Sequence, residues 1–483
     1  LWNENLNTSG TIDMSTERLH FIGVGGVGMS GIAHVAHDQG IVVTGSDIKE
    51  SRYTKQLKSC GIPVAIGQRA ENVPAGDDVT VVISTAILDN NPELIEARRR
   101  GLKIIHRAQM LARLGEGLDT LAVAGTHGKT TTSSMLASVL DGIGDDPTFL
   151  IGGIVRAYGT NAHSGSGRHY VVEADESDKS FTFLSPAGVI VTNVEADHLD
   201  HYKDLSEIFA KFKQFIGSVP ETGPVVVCGE EEPLVKIARE AHPNAITYGF
   251  GEGCDARIVS AEPHGVGSRF TLKLPDGTLA QGSVKQNPGM HNVLNAASVL
   301  ALIWALGLDV DAAAEALSEF AGVRRRFDLV GEAGGVTVVD DYAHHPTEIA
   351  ATIAAAKTLD FKRVHVLFQP HRYSRAPLFT EVLHDEFGSA FDRADTVTFM
   401  DVYPAGEAPV PGVSGKTFLN VVLDHAGHPA EAEYVARRID VVPHMARLAR
   451  PGDLVITMGA GDVTAIGPQL VEELSAQGTV RGE

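Results

Sequence analysis

Residues 120–140 read TLAVAGTHGKTTTSSMLASVL, an apolar run, a glycine-bounded turn and a helical pattern in immediate succession. That order predicts a strand, a tight loop and a helix, the unit from which parallel α/β layers are built. Backbone N–H groups of Gly125, Thr126, His127 and Gly128 can cradle phosphate oxygens. Lys129 supplies a point charge to the outer phosphates, and Thr130, beside Thr131, can ligate Mg²⁺. The full GxxxxGK[ST] pattern would need its first glycine at Val123, so this is a shortened variant. A merely structural turn needs neither the lysine nor three threonines; the stretch predicts a nucleoside triphosphate site.

Downstream, YVVEAD and GVIVTNV read as further strands. Glu173 and Asp175 end the first, and Asp197, His198, Asp200 and His201 follow the second, where open α/β sheets place their ligands. Phosphoryl transfer needs a metal to offset charge on the triphosphate. A solvated acidic loop is the plain alternative. The HxxH spacing lacks the soft ligands of structural zinc, so Glu173 and His198, with Thr130, are the expected hard-cation set. Upstream, FIGVGGVGMSG carries Gly23, Gly25 and Gly28 as GxGxxG, with Gly26 between them, after a predicted strand and before a helix expected to begin near Met29. Such a turn brings backbone and a helix N-terminus to a diphosphate. Asp47, 24 residues after Gly23, stands where an acid accepts from a sugar hydroxyl. A nicotinamide-dependent dehydrogenase competes for this motif alone, and the triphosphate loop argues against it. Two phosphate turns imply two nucleotides, one of them a carrier of substrate.

At 483 residues the chain exceeds one hydrophobic core. Three α/β segments are expected: a polar tail over 1–14, then 15–118, 119–322 and 323–483. The last holds the β-rich runs VTVVDDY, RVHVLFQ, TVTFMDVY and DLVITMGAG. A formal net charge of −21 argues against a general nucleic-acid binder but leaves room for a local pocket of donors. Cys60, Cys228 and Cys254 form no CxxC pair, which points to a reducing cytoplasm. No apolar run approaches the roughly 20 residues of a membrane span. The first segment, LWNENLNTSGTID before Met14, lacks the order of a signal peptide.

HFIGVGGVGMSGIA, AGTHGKTTT, EADESD, NVEADHLDHY, HNVLNAA, RRRFD, DDYAHHPTE and FQPHRYSR occur in one order between about Leu19 and Gly467. Together they resemble the Mur ligase family, and within it the alanine-adding branch. The resemblance implies a Rossmann-like N-terminal domain for a UDP-sugar, a central P-loop ATPase domain and a Rossmann-like C-terminal domain. It implies that ATP phosphorylates the lactyl carboxylate of UDP-N-acetylmuramate and that the amine of L-alanine captures the acyl phosphate; for the assembly, a monomer and a homodimer are both left open. By the same resemblance Lys129 is the triphosphate lysine, Glu173 and His198 the metal pair, and Asn292 and Asn295 lie about the ATP base. Three apart on a helix, those two amides share a face. Arg326 and Asp341 would close onto ATP, Tyr342, His344, His371, Arg372 and Arg375 would receive alanine, and Ser84 and Thr85 would wall the UDP-sugar site. By the same resemblance Asp341 is preferred to Asp340, although strand alternation points the two to opposite faces. Lys211 and Lys213 lie where some relatives carry a carbamylated lysine, which this branch does not require. Peptide-recycling relatives, the alternative within the family, resemble FEPR where this chain has FQPHRYSR. A hinge is expected near residues 320–325.

Overall fold

The computed structural model describes residues 17–176, 180–195, 202 and 204–480. Short Val- and Ile-rich runs, buried on both faces, become the central strands of three sheets. Arg18–Ile22 (β1), Val42–Asp47 (β2), Val64–Ile66 (β3), Val79–Ile83 (β4) and Lys103–His106 (β5) form a parallel sheet in the order β3-β2-β1-β4-β5. The strand order reverses at β1, and the GxGxxG turn leaves from that switch point. Its helix, Val27–Asp38, begins two residues earlier than Met29, with Gly26 at the N-cap.

The middle sheet is built from Asp119–Ala124 (β6), Thr148–Val155 (β7), Thr160–His163 (β8), His169–Glu173 (β9), Gly188–Val191 (β10), Val225–Cys228 (β11), Ile246–Gly249 (β12), Ala256–His264 (β13), Gly267–Lys273 (β14) and Leu279–Val284 (β15). Their order is β15-β14-β13-β12-β11-β10-β6-β9-β7-β8. β6 lies between β9 and β10, all parallel, with Val123 opposite both Glu173 and Ile190. The predicted triphosphate loop and the two acidic strand ends therefore emerge side by side. The third sheet comprises Asp328–Ala333 (β16), Val336–Asp341 (β17), Val364–Phe368 (β18), Thr396–Phe399 (β19), Glu431–Tyr434 (β20) and Leu454–Met458 (β21), ordered β16-β17-β21-β18-β19-β20 with β16 antiparallel.

Packing divides these layers unequally. One continuous apolar core runs from β1 through the middle sheet to Val323. The helix Val27–Asp38 approaches β7 and β8 so closely that a Cβ on Gly31 would lie 2.9 Å from Leu150 Cδ2 and 3.3 Å from Ala162 Cβ. The third sheet instead has its own cores, a cluster about Phe368, Phe387, Phe391 and Phe399 on one face and another about Val338, Leu367 and Leu470 on the other. It meets the rest mainly through polar groups. Arg324 N–H donates to Ile154 O (3.0 Å), Arg156 N–H to Gly322 O (3.1 Å), and Arg156 pairs with Asp328. Among the described residues no helix is long and apolar enough to cross a membrane, and the three cysteines are free thiols.

Candidate active site

β6 ends at Ala124, and Gly125 and Gly128 turn the chain with φ of 134° and 83°, a region that favours glycine. Neither position has room for a side chain. A Cβ on Gly125 would meet Thr192 Oγ1 at 2.1 Å, and one on Gly128 would meet Asn295 Oδ1 at 2.9 Å. The loop is templated by the end of β10: Thr126 N–H donates to Asn193 O (3.1 Å), His127 N–H to Asn193 Oδ1 (2.8 Å), and Glu195 N–H to Thr126 Oγ1 (2.8 Å). The helix Lys129–Gly142 starts at once, so its first N–H groups face the cleft beyond. Asn292 and Asn295 lie together on the buried helix Met290–Ala305 and support the loop from beneath; Asn295 Nδ2 donates to Asn292 Oδ1 at 3.5 Å.

Lys129 donates to Glu176 Oε1 (3.0 Å) and to Thr126 O (3.0 Å), and its ammonium group lies 2.8 Å from Glu176 Oε2. Burial pushes the Glu176 carboxyl up to about 7 against the pull of the ammonium group. Glu176 stood within a quoted motif, yet acids after a strand also read as solvated loop, and its partner is 47 positions away. Thr130 Oγ1 donates to Glu173 Oε2 (2.9 Å), which also accepts Gly152 N–H (2.8 Å). A hydroxyl and a carboxylate oxygen held at the phosphate loop suit a hard cation such as Mg²⁺. His198, with Asp197, Asp200 and His201, lies outside the described residues.

From the N-terminal sheet, Thr85 faces the cleft with Arg52, Tyr53 and Arg107. Gly23, Gly25, Gly26 and Gly28 form the turn behind them, where Ile87 N–H donates back to Ser84 O (3.1 Å). The Asp47 carboxylate, expected at a sugar hydroxyl, accepts Gly25 N–H (2.8 Å) and Lys49 N–H (3.3 Å) and so braces the glycine turn.

The third sheet delivers its residues from the carboxyl ends of β17, β18 and β21. Arg325 and Phe327 carry positive φ (63° and 49°), a non-glycine strain of the kind often stored at functional sites. This kink lays both Arg325 and Arg326 over the Tyr342 ring, at 4.8 and 5.3 Å. Arg325 pairs with Asp340 (3.0 Å), which faces the cleft. Asp341 is turned inward, accepting Phe327 N–H (2.7 Å) and Ala343 N–H (2.8 Å), and burial raises its carboxyl to about 6 despite nearby Arg326. Asp341 thus fixes the kink that aims Arg326. Tyr342, His344, His371, Arg372 and Arg375 all line the cleft. His371 stacks on Tyr403 at 5.7 Å, and burial together with His344, Arg375 and Arg372 depresses its imidazole to about 3, so it presents a neutral ring.

The seam between middle and third sheets contains two acids that the sequence reading passed over, Glu195 and Glu348. His127 lies between them, 3.5 and 3.4 Å away, and Arg326 is 3.7 Å from Glu348. Glu348 had a faint signal, an acid at the third position of a helix opened by Pro346. His127, Lys129, Thr130, Glu173, Arg326 and Glu348 join Thr85 and the residues after β17 and β18 in lining one cleft of about 1570 Å³, to which all three sheets contribute. Lys129 and eight arginines face five carboxylates there, a local positive balance within a chain of charge −21. Such a lining concentrates anionic ligands.

Models of the Mur ligase family match in three consecutive parts: the Mur ligase family catalytic domain over 18–117, the middle domain over 123–303 and the glutamate ligase domain over 325–461. The UDP-N-acetylmuramate–L-alanine ligase of Thermobifida fusca is 46% identical over 470 residues, covering 95% of this chain and 96% of that protein. The ligase of the same name from Koribacter versatilis is 43% identical, covering 95% and 98%. The crystal structure of the UDP-N-acetylmuramate–alanine ligase of Thermotoga maritima superposes with a TM-score of 0.78 at 30% identity, covering 95% and 99%. A murein peptide ligase from Psychrobacter arcticus follows at 0.69 and 27%, covering 95% and 99%. The chain belongs to the Mur ligase family.

Proposed function

We infer that this enzyme joins L-alanine to the lactyl carboxylate of UDP-N-acetylmuramate at the expense of ATP, a step of peptidoglycan precursor synthesis. One observation carries the reading: the glycine loop with Lys129 and a cluster of arginines and histidines, delivered by different segments, open onto a single cleft. The kinship with alanine-adding ligases over nearly the whole chain supports it.

The loop Gly125–Thr131, with Asn292 and Asn295 beneath it, receives ATP. Gly23, Gly25, Gly26, Gly28, Ser84 and Thr85 shape the UDP-sugar wall, with Asp47 holding the turn. The lactyl carboxylate oxygen forms a bond to the γ-phosphorus as the β,γ-bridging bond breaks and ADP departs. Lys129, released from Glu176, balances charge on the outer phosphates, and Arg326, aimed by Asp341, approaches from the other side. Thr130, Glu173 and His198 are the residues that would hold Mg²⁺, which supplies charge neutralisation on the triphosphate. Arg372 and Arg375 take the alanine carboxylate, for which the planar guanidinium fork is suited. His344, His371 and Tyr342 complete that pocket. The free amine then attacks the acyl carbon, and phosphate leaves as the amide forms.

The setting consistent with three free thiols and these nucleotide substrates is the cytoplasm, with a monomer or homodimer and neither nucleic acid nor membrane as partner. Phosphate release with ATP, Mg²⁺ and UDP-N-acetylmuramate, screened against single amino acids, tests the reading. Alanine should stimulate release most; equal release without any amino acid would refute it.

A further inference from the structure

His127, Glu195 and His345 bring donor atoms within 4.8 Å of one another at the seam. Burial disfavours charge on His127, but Glu195 and Glu348 outweigh it and raise the imidazole to about 9. Ion pairs at 3.4, 3.7 and 3.3 Å join the seam into a relay whose centre is Glu348. The two oxygens of this carboxylate face different subsites. Oε1 lies 3.4 Å from His127 Nδ1 on the triphosphate loop and 3.7 Å from Arg326. Oε2 lies 3.3 Å from His344 Nδ1 and accepts His344 N–H at 3.2 Å, on the amino-acid side.

We propose that Glu348 is a positioning residue of the ligation, its carboxylate tying the triphosphate loop to the amino-acid pocket so that filling either one favours the other. The proposal rests on reading those two subsites as the ATP and alanine sites. Each link is fixed at its far end. His127 is pinned through its backbone to Asn193, so its ring follows the loop that meets phosphate. Glu348 stands in the first turn of the helix Pro346–Ala356, and its neighbour Thr347 ties the same turn to Glu195 through Oγ1 (2.6 Å). A loop ordered by triphosphate holds His127 against Glu348, and Glu348 then holds His344 toward the cleft. Where the loop is empty and displaced, the buried carboxylate keeps Arg326 but loses the His127 cation, which favours withdrawal of the helix that carries the alanine side. Binding linkage makes the effect reciprocal.

The test is a two-dimensional titration of ATP and alanine at saturating UDP-N-acetylmuramate, with initial rates of phosphate release. For the unaltered enzyme, KM for alanine should fall by about tenfold as ATP goes from limiting to saturating. In Glu348→Gln, which keeps shape and removes charge, alanine KM should be about tenfold higher at saturating ATP and no longer depend on ATP. Unchanged alanine KM, or a fall in kcat with both KM values intact, overturns the proposal. Should Glu348→Gln fail to fold, His127→Gln decides. It alters only the triphosphate loop, so a raised, ATP-independent alanine KM supports the relay, and an effect confined to ATP KM overturns it. If the unaltered enzyme gives no alanine-stimulated release, the functional reading fails instead.

Discussion

Replacing Lys129 with Ala removes the cation from a carboxylate that has almost no other neutralising partner among the described residues. Glu176 is 3% exposed, and burial already holds its carboxyl near 7 with the ammonium group in contact, against an ordinary 4.5. In the unaltered protein the folded state binds the extra proton between pH 4.5 and 7, so this group costs stability that accumulates up to pH 7 and then levels off. Without Lys129 the same carboxyl rises above 7, and the loss continues into the alkaline range. Between pH 7 and 9 the gap between variant and parent should widen by about 1.4 kcal/mol per pH unit, approaching about 3 kcal/mol, until the new ionisation point is reached. The lysine itself, raised above 10.5 by the surrounding carboxylates despite burial, stays charged throughout that range and adds only a constant offset. Urea unfolding from pH 6 to 9 measures the gap directly. Lys129→Ala with Glu176→Gln should remove the widening without restoring turnover, which should stay at least about a hundredfold below the parent. Parallel stability curves for parent and Lys129→Ala between pH 7 and 9, or near-parental turnover in that variant, would refute the reasoning.

His127, raised to about 9 against an ordinary 6.5, faces Glu195, Glu348 and the His345 ring, with Glu231 more distant. A raised folded value contributes stability in full below pH 6.5 and loses it as pH rises through about 9, a span of about 3 kcal/mol that His127→Asn should flatten in urea unfolding. Gly31→Val would press a branched side chain against Leu150 and Ala162, and a cost of about 1–3 kcal/mol in unfolding free energy is expected; an unchanged urea midpoint would contradict that packing. Small-angle scattering with ATP analogue and UDP-N-acetylmuramate should show a smaller radius of gyration than the free enzyme, as a third segment hinged near 320–325 closes; an unchanged radius counts against the hinge.

The triphosphate loop was legible because three signals coincide within 20 residues: a β-rich run, two glycines at forced φ, and a change to helical periodicity. Glu173 was legible for a related reason, since a strand end fixes where its side chain emerges. Asp47 and Asp341 were legible as important acids but not as braces, because only the folded chain reveals that backbone N–H groups consume their oxygens. Glu195 and Glu348 lie about 150 positions apart and meet only at a seam between sheets, where no local period can announce them. The antiparallel hairpins β13–β15 fall outside the expected parallel layers, although PDG at 275–277 is a turn signal between β14 and β15.

Unequal packing of the three layers follows from the chemistry the cleft must perform. The two nucleotide turns must keep a fixed separation for in-line transfer, and a shared apolar core that admits no side chain at Gly31 enforces that distance. An acyl phosphate must be shielded from water until the amine arrives, yet substrates and products must pass. A third apolar seam would hold the layers shut. Hydrogen bonds and ion pairs worth about 0.5–1.5 kcal/mol each instead allow separation when their charges are unmatched. The seam has that composition: one short bridge between Val155 and Val323, the Arg156–Asp328 pair, and the carboxylates about His127. A third segment that closes over such a seam would do so in response to the charges that the ligands themselves bring into the cleft.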